Sequence, residues 1–363
     1  MSDVATSKLE ELRSQINQVD DSIQALLQQR AQLALDVATA KKLAQKNPDF
    51  YRPEREAQLL SDKLDNYQGL LPKNDLAMIF RHIMSACRGL QQEINIAFLG
   101  PLGTFSHAAT QQHFGSAINF SPVESIEKVF QAVQADQAHY GVVPVENSTD
   151  GVITLTLDLL IKYSLNICGE IILPVHQHLL RSSDDQQDIT AIYSHQQSFQ
   201  QCKQWLDKYY PDIERIVVSS NAKAAKIASE NLGVAAIAGD IAADYYNLVK
   251  QEANIADNPK NTTRFFVIGK QKLNESGQDK TSLVVTTPHQ PGALINLMQP
   301  FAEQGVNVTF IQSRPYQHQN WCYIFFVELE GHQNDDNFQQ ALQELAKKPI
   351  MYNVLGSYPK AIG

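Results

Sequence analysis

A chain of 363 residues exceeds one average domain and suits two or three. Its 43% hydrophobic and 19% charged content is that of a soluble globular protein, and no apolar run reaches the roughly 20 residues that span a bilayer. A net charge of −9 argues against nucleic acid as a partner, so an anionic ligand must find its cations locally. The opening stretch MSDVATSKLEEL lacks the basic and apolar regions of a signal peptide, which predicts a cytoplasmic protein. Cys87, Cys168, Cys202 and Cys322 are scattered, with no CxxC and no clustered His, so they read as buried thiols and no metal or cofactor is expected.

Apolar residues at Leu9, Leu12, Ile16, Val19, Ile23, Leu26, Leu33, Val37 and Ala40 step by threes and fours, predicting a helix to about Lys46 that Asn47-Pro48 ends. Arg30 falls on this seam, where a cation is costly unless an anion meets it. At ~58 Å the helix is longer than a compact ninety-residue unit can cover, so a helix of a second subunit is its expected cover. A second helix opens at Pro53 and carries Arg55 and Glu56. A third carries Leu76, Ile79, Phe80, Ile83, Met84, Cys87 and Leu90, with Gln91 on the face of Cys87.

After Gln91-Gln92-Glu93 the period changes to alternating strands and helices, predicting an α/β region with a parallel sheet whose helix N-termini offer N–H groups to anions. Ile94 to Leu99 reads as a strand that enters GPLGTFS, a loop with Thr104 or Ser106 as helix cap and neither a P-loop nor a dinucleotide fingerprint. In GVVPVENSTDG a buried strand through Val145 leads past Glu146 to a helix start at Asn147, Ser148, Thr149 and Asp150. NTTRF places Thr262, Thr263 and Arg264 directly before a strand Phe265 to Ile268. Beyond the linker Gln271 to Lys280, the order strand, helix, strand, strand, helix, strand is the ferredoxin-like βαββαβ motif.

The first quarter of the chain resembles the helical chorismate mutase domain of the bifunctional chorismate mutase/prephenate dehydratase family. Arg13, Arg30, Lys41, Arg55-Glu56 and Gln91 match the family's cations, Arg-Glu pair and late Gln; Arg52 stands where relatives have Asp, and Cys87 where some have Ser. GPLGTFS, GVVPVENSTDGVI and NTTRF resemble the prephenate dehydratase domain from about Ile94 to Lys272, with Gln196 where relatives usually have Pro. GALINLM from Gly292 and GVNVTFIQSRP from Gly305 resemble the ACT amino-acid-binding domain, with Gln312 where relatives have Glu. The resemblance implies a multidomain chain: an all-α mutase domain (1–92), an α/β two-lobed dehydratase domain (94–272) and an α+β ferredoxin-like ACT domain (281–363).

It also implies two reactions and a feedback inhibitor. Chorismate to prephenate is a pericyclic rearrangement, so the protein need only hold a folded dicarboxylate and stabilise charge on the breaking ether oxygen. Arg13, Arg30 and Arg55 suit the carboxylates, Lys41 and Gln91 the ether oxygen, and Glu56 the ring hydroxyl. Arg13 and Lys41 are 41 − 13 = 28 residues or ~42 Å apart along a helix, so Arg13 is expected to serve a neighbouring subunit's site. Prephenate then loses carbon dioxide and its hydroxyl together. Thr263 is the implied catalytic hydroxyl, with Glu146 the competing acid and Thr104, Ser106, Asn147, Ser148 and Arg264 candidate substrate contacts. Phenylalanine is expected at Gly292, Ala293, Leu294, Asn307, Ser313 and Arg314. The other readings are a non-enzymatic amino-acid sensor, and a dehydratase whose helical domain serves only dimerisation.

Overall fold

The computed structural model describes residues 2–44, 50–287, 290–315, 323–348 and 350–361. Three helices open the chain: α1 (Ser2–Ala44), α2 (Pro53–Asp65), which starts with proline in its first turn, and α3 (Lys73–Gly89). The predicted stop at Asn47-Pro48 lies outside the described residues. Helix α3 packs on both α1 and α2, yet the α1 seam is uncovered: Leu9, Leu12, Ile16, Val19, Ile23, Leu26, Leu33 and Val37 are each 47–64% exposed. No helix among the described residues is long and apolar enough to cross a membrane.

The middle of the chain forms two α/β lobes. The first contains β1 (Asn95–Leu99), α4 (Phe105–Phe114), β2 (Asn119–Val123), α5 (Ile126–Gln134), β3 (Tyr140–Asn147), β4 (Gly151–Val152), α6 (Thr154–Lys162) and β5 (Asn166–Pro174). The chain then builds the second lobe from β6 (His178–Ser182), β7 (Ala191–Ser194), α7 (Gln196–Gln201), α8 (Lys203–Tyr209), β8 (Glu214–Val217), α9 (Asn221–Glu230), β9 (Val234–Ala238), α10 (Asp240–Tyr245) and β10 (Leu248–Glu252). It returns to the first lobe as β11 (Thr262–Gly269). The two sheets run β2-β1-β3-β11-β5 and β10-β6-β9-β7-β8.

Both sheets are mixed, which corrects the expected parallel sheet: β11 runs antiparallel to β3 and β5, and β6 antiparallel to β9 and β10. The chain crosses between lobes twice, and the returning strand must enter against its neighbours. Two local expectations also change. Strand β3 continues through Glu146 and Asn147 into a tight turn and β4, so Asn147 to Asp150 is a hairpin and the helix waits until Thr154. Strand β11 begins at Thr262, so Thr263 and Arg264 lie within it.

The last unit comprises β12 (Asp279–Thr287), α11 (Ala293–Glu303), β13 (Val308–Pro315), β14 (Tyr323–Glu330), α12 (Asp336–Ala346) and β15 (Met351–Pro359). Its antiparallel sheet has the order β13-β14-β12-β15, the ferredoxin-like arrangement. One side buries Leu283, Leu297, Phe301 and Phe338 under its own helices. The other side sends Ile324, Phe326, Leu355 and Tyr358 into the same core as Phe266 and Ile171 of the first lobe. The approach is close enough that a Cβ on Gly356, whose φ is +154°, would lie 2.3 Å from the Ile167 carbonyl oxygen.

Gly356→Ala therefore forces backbone away from backbone. We expect a loss of about 1–3 kcal/mol, the usual cost of overpacking, seen as a lower thermal midpoint. An unchanged midpoint would show that this contact is not tight.

Candidate active sites

Helices α1, α2 and α3 wall a cavity of about 490 Å³. Arg30, Lys41, Arg55, Glu56 and Gln91 all line it, as do Arg52 and Cys87, so the expected cation set converges from three helices. Gln91 Nε2 donates to the Ala34 carbonyl at 2.7 Å, Arg30 Nη1 reaches the Ile83 carbonyl at 3.4 Å, and the Lys41 ammonium stands 5.4 Å from the Phe50 ring. Arg52 is paired with Glu54 at 2.7 Å. Arg13 does not line this cavity; it lies 30 − 13 = 17 residues ahead of Arg30, or ~26 Å along α1.

Sequence reasoning missed Arg88. Its side chain is buried, lines the cavity, and donates from Nη1 to Glu56 Oε1 at 2.6 Å and from Nη2 to the Phe114 carbonyl at 2.6 Å. The guanidinium also lies 4.9 Å from the Tyr51 ring. A readable signal existed in Arg81 and Arg88, which are seven apart and share a face of α3. Beside Arg88, Tyr51 hydrogen-bonds His113 Nε2 at 2.6 Å. Burial, reinforced by Arg81 and Arg88, pushes the His113 pKa down to about 3, while burial and nearby Glu56 raise that of Tyr51. The phenol therefore donates and the neutral imidazole accepts.

The second site is a cleft of about 790 Å³ between the two lobes. Thr104, Ser106, Asn147 and Thr263 line one wall; Gln177, His195, Ser198, Ser220 and Asn221 line the other. Thr104 caps α4 by accepting from the His107 N–H, and Ser220 caps α9 by accepting from Lys223 N–H, so both helices start at the cleft. Gly103, at φ +86°, lets this loop approach the second lobe, since a Cβ there would sit 3.1 Å from the Tyr246 ring and 3.4 Å from the Ala222 methyl. Asp150, at the hairpin tip, accepts from Gln197 and, at 3.4 Å, from Gln201 of α7, latching the lobes together.

The centre of the cleft is the pair Asn147 and Thr263, opposed in the β3–β11 register. Asn147 Oδ1 accepts from the Thr149 and Asp150 N–H groups at 2.9 and 3.1 Å. An amide oxygen cannot donate, so this fixes the amide's orientation and leaves Nδ2 to donate to Thr263 Oγ1 at 2.8 Å. The Thr263 hydroxyl hydrogen is thereby not needed by Asn147.

Three of the expected substrate contacts, Arg264, Glu146 and Ser148, do not line the cleft. Strand alternation turns Arg264 away from the cleft, where it meets Glu328 of β14 at 2.5 and 2.6 Å and Glu146 at 3.4 Å. Glu146 is turned with it by a bulge between the 144–265 and 146–264 pairs, so it does not line the cleft as a competing acid. Ser148 is occupied in the turn, donating to Asn261 Oδ1 at 3.1 Å and accepting from the Thr262 N–H at 3.0 Å. Among the described residues no Arg or Lys lines the cleft, and Glu124 is the one carboxylate that does.

In the last unit, Gly292, Ala293 and Leu294 line a hollow of about 340 Å³ with Thr287, Tyr323 and Phe325. Gly292 caps α11 at φ +81°. Asn307, Ser313 and Arg314 do not line it: Asn307 donates to Glu330, and Arg314 reaches across to α6, donating to the Thr154 carbonyl at 3.0 Å and pairing with Asp158 at 3.0 Å.

Residues 12–92 match the chorismate mutase type II family and residues 96–273 the prephenate dehydratase family. A helical cavity and an interlobe cleft with these matches define a bifunctional enzyme. A bifunctional chorismate mutase/prephenate dehydratase of Pseudomonas aeruginosa is 43% identical over 359 residues, covering 98% of each chain, and one of Aquifex aeolicus is 41% identical, covering 98% of this chain and 99% of its own. The crystal structure of an Arthrobacter aurescens prephenate dehydratase in complex with L-Phe superposes with a TM-score of 0.66 at 33% identity, over 73% of this chain and 90% of that one. The chain belongs to the bifunctional chorismate mutase/prephenate dehydratase family, and it converts chorismate to prephenate and prephenate onward in phenylalanine biosynthesis.

The Tyr51–His113 bond joins the helical unit to α4 and gives a pH test. A base whose pKa falls on folding, here from 6.5 to about 3, is protonated first in the unfolded chain. Its contribution is thus complete above pH about 6.5 and declines as pH falls toward 3. The thermal midpoint should drop over this window, and less steeply in His113→Gln, which keeps an acceptor for Tyr51. Equal slopes would refute the assignment.

Proposed function

We propose that residues 1–92 form the mutase, 94–272 the dehydratase and 281–363 an ACT sensor of phenylalanine, acting together in the cytoplasm as a homodimer or larger homo-oligomer. The convergence of Arg30, Lys41, Arg55, Glu56 and Gln91 on one cavity supports the mutase assignment. Arg30 and Arg55 grip the carboxylates of chorismate, Lys41 and the second Nε2 hydrogen of Gln91 donate to the breaking ether oxygen, and Glu56, held by Arg88, accepts from the ring hydroxyl. Arg13, outside the cavity, completes the site of a second subunit whose helix covers the exposed α1 seam.

For the dehydratase, the observation that carries the reading is the Asn147 to Thr263 hydrogen bond. Thr263 donates its remaining hydrogen to the departing hydroxyl of prephenate. The electrons of the ring-to-carboxylate bond flow into the ring as the ring C–O bond breaks, releasing carbon dioxide and a hydroxide that Thr263 stabilises by its hydrogen bond and that takes one proton from solvent to leave as water, with an aromatic ring left behind. With no Arg or Lys among the described residues that line the cleft, the free N–H groups at the starts of α4 and α9 bind the retained carboxylate, together with Ser106 and Asn221. The carboxylate that departs is left poorly solvated. Phenylalanine binds at Gly292, Ala293 and Leu294, where the α11 N-terminus suits its carboxylate, and Arg314 carries the signal to α6.

One experiment separates these roles: supply chorismate, or prephenate alone, and follow prephenate and phenylpyruvate with and without phenylalanine. Arg30→Ala should lose prephenate formation and keep the dehydratase. Thr263→Val should lower the dehydratase kcat by about 100-fold with little change in KM, as for a contact made in the transition state, and keep the mutase. Mixing Arg13→Ala with Arg30→Ala chains should restore mutase activity, because one site of a mixed dimer carries neither defect. A full mutase rate in Arg30→Ala, a full dehydratase rate in Thr263→Val, or no restoration on mixing would each remove the corresponding assignment.

A further inference from the structure

We propose that Glu328, on β14 of the last unit, is a positioning residue of the dehydratase site: by holding Arg264 it fixes β11 at Thr263 and so sets the direction of the catalytic hydroxyl. This rests on the reading of Thr263 given above. Thr263 and Arg264 are consecutive on one strand and face opposite sides of it, one into the cleft and one against the third sheet. Three carboxylates surround the guanidinium. Glu146 and Glu170 stand at 3.4 and 3.5 Å, whereas Glu328 places both oxygens on it at 2.5 and 2.6 Å. A bidentate pair fixes direction as well as charge.

Everything else around the pair restrains it. The guanidinium carbon lies 5.2 Å from the Phe266 ring and 5.3 Å from the Phe310 ring. Glu170 is engaged elsewhere, by Lys280 at 2.9 Å and by the Ala361 N–H at 3.0 Å. The Glu328 side chain is only 4% exposed, so losing its charge leaves a partly buried Arg264 with Glu146 as its nearest free-standing anion. Glu146 is the register partner of Arg264 and immediately precedes Asn147, the residue that orients Thr263. A shift of Arg264 toward Glu146 would therefore displace both members of the Asn147–Thr263 pair at once. The groups that bind the substrate carboxylate lie on α4 and α9 and would not move with it.

The test uses the full-length chain with prephenate as substrate, comparing Glu328→Gln, Arg264→Gln and the double variant, with the mutase rate as the measure of intact folding. Misplacing a catalytic group by about an ångström costs up to about 100-fold, so Glu328→Gln should lower the dehydratase kcat by about 10- to 100-fold while KM stays within about threefold. If Glu328 acts through Arg264, the double variant will be no slower than the slower single one. An unchanged kcat in Glu328→Gln, or single effects that multiply in the double variant, would overturn the proposal. Should Glu328→Gln not fold, Glu328→Asp keeps the charge but shortens the reach; a normal kcat there would overturn it equally. Thr263→Val run alongside distinguishes the two readings, since its retaining full activity would remove Thr263 from catalysis whatever Glu328 does.

Discussion

The antiparallel pairing of β3 with β11 is the constraint on which both halves of the dehydratase depend. In a strand, successive side chains face opposite sides, so Thr263 and Phe265 reach the cleft while Arg264 and Phe266 face the C-terminal sheet. The bulge on β3 makes the partner strand agree: Pro144 and Asn147 both line the cleft though three residues apart, and Glu146 is sent to join Arg264. One strand pair thus presents a neutral, hydrogen-bonding face to the cleft and a charged face to a neighbouring unit. Shifting its register by one residue would exchange the two.

Two arginines, Arg88 buried and Arg264 partly buried, connect the parts in a similar way. Arg264 ties β11 to Glu328 of the last unit, and Arg88 ties Glu56 of the mutase cavity to the last carbonyl of α4. Helix α4 begins at Thr104 in the dehydratase cleft and ends against Arg88 and Tyr51. The helical cavity and the interlobe cleft are therefore joined by a ten-residue helix, and the C-terminal sheet shares a hydrophobic core with the first lobe. The chain is not three beads on a flexible string. Burying each guanidinium is tolerable only because each has an anion or carbonyl in hydrogen-bonding reach.

The sequence disclosed what repeats and what is out of place. The three-four spacing predicted α1 and α3, and Arg30, the cation out of place on the apolar seam, lines one cavity with Lys41, Glu56 and Gln91. The βαββαβ order of the C-terminal unit was equally readable. Direction was harder. A strand's partner and sense depend on where the chain returns after the second lobe, so the mixed sheets were not visible from alternating elements. The bulge left no mark in GVVPVENSTDG, and without it Glu146 reads as an acid beside the substrate. In the NTTRF motif Arg264 reads as a substrate anchor beside Thr263; its partner Glu328 lies 64 residues away, beyond any local pattern.

The division of faces on the β3–β11 pair is best tested by thiol labelling. Among the described residues Cys87, Cys168 and Cys202 are buried, Cys322 lies outside the described residues, and the unsubstituted chain labelled in parallel sets the background to be subtracted. Thr263→Cys and Glu146→Cys would be labelled with a small thiol reagent, with and without saturating prephenate. Prephenate should slow labelling of Thr263→Cys severalfold and leave Glu146→Cys unaffected. Protection of Glu146→Cys, with none at Thr263→Cys, would place the substrate on the opposite face and contradict this description of the site.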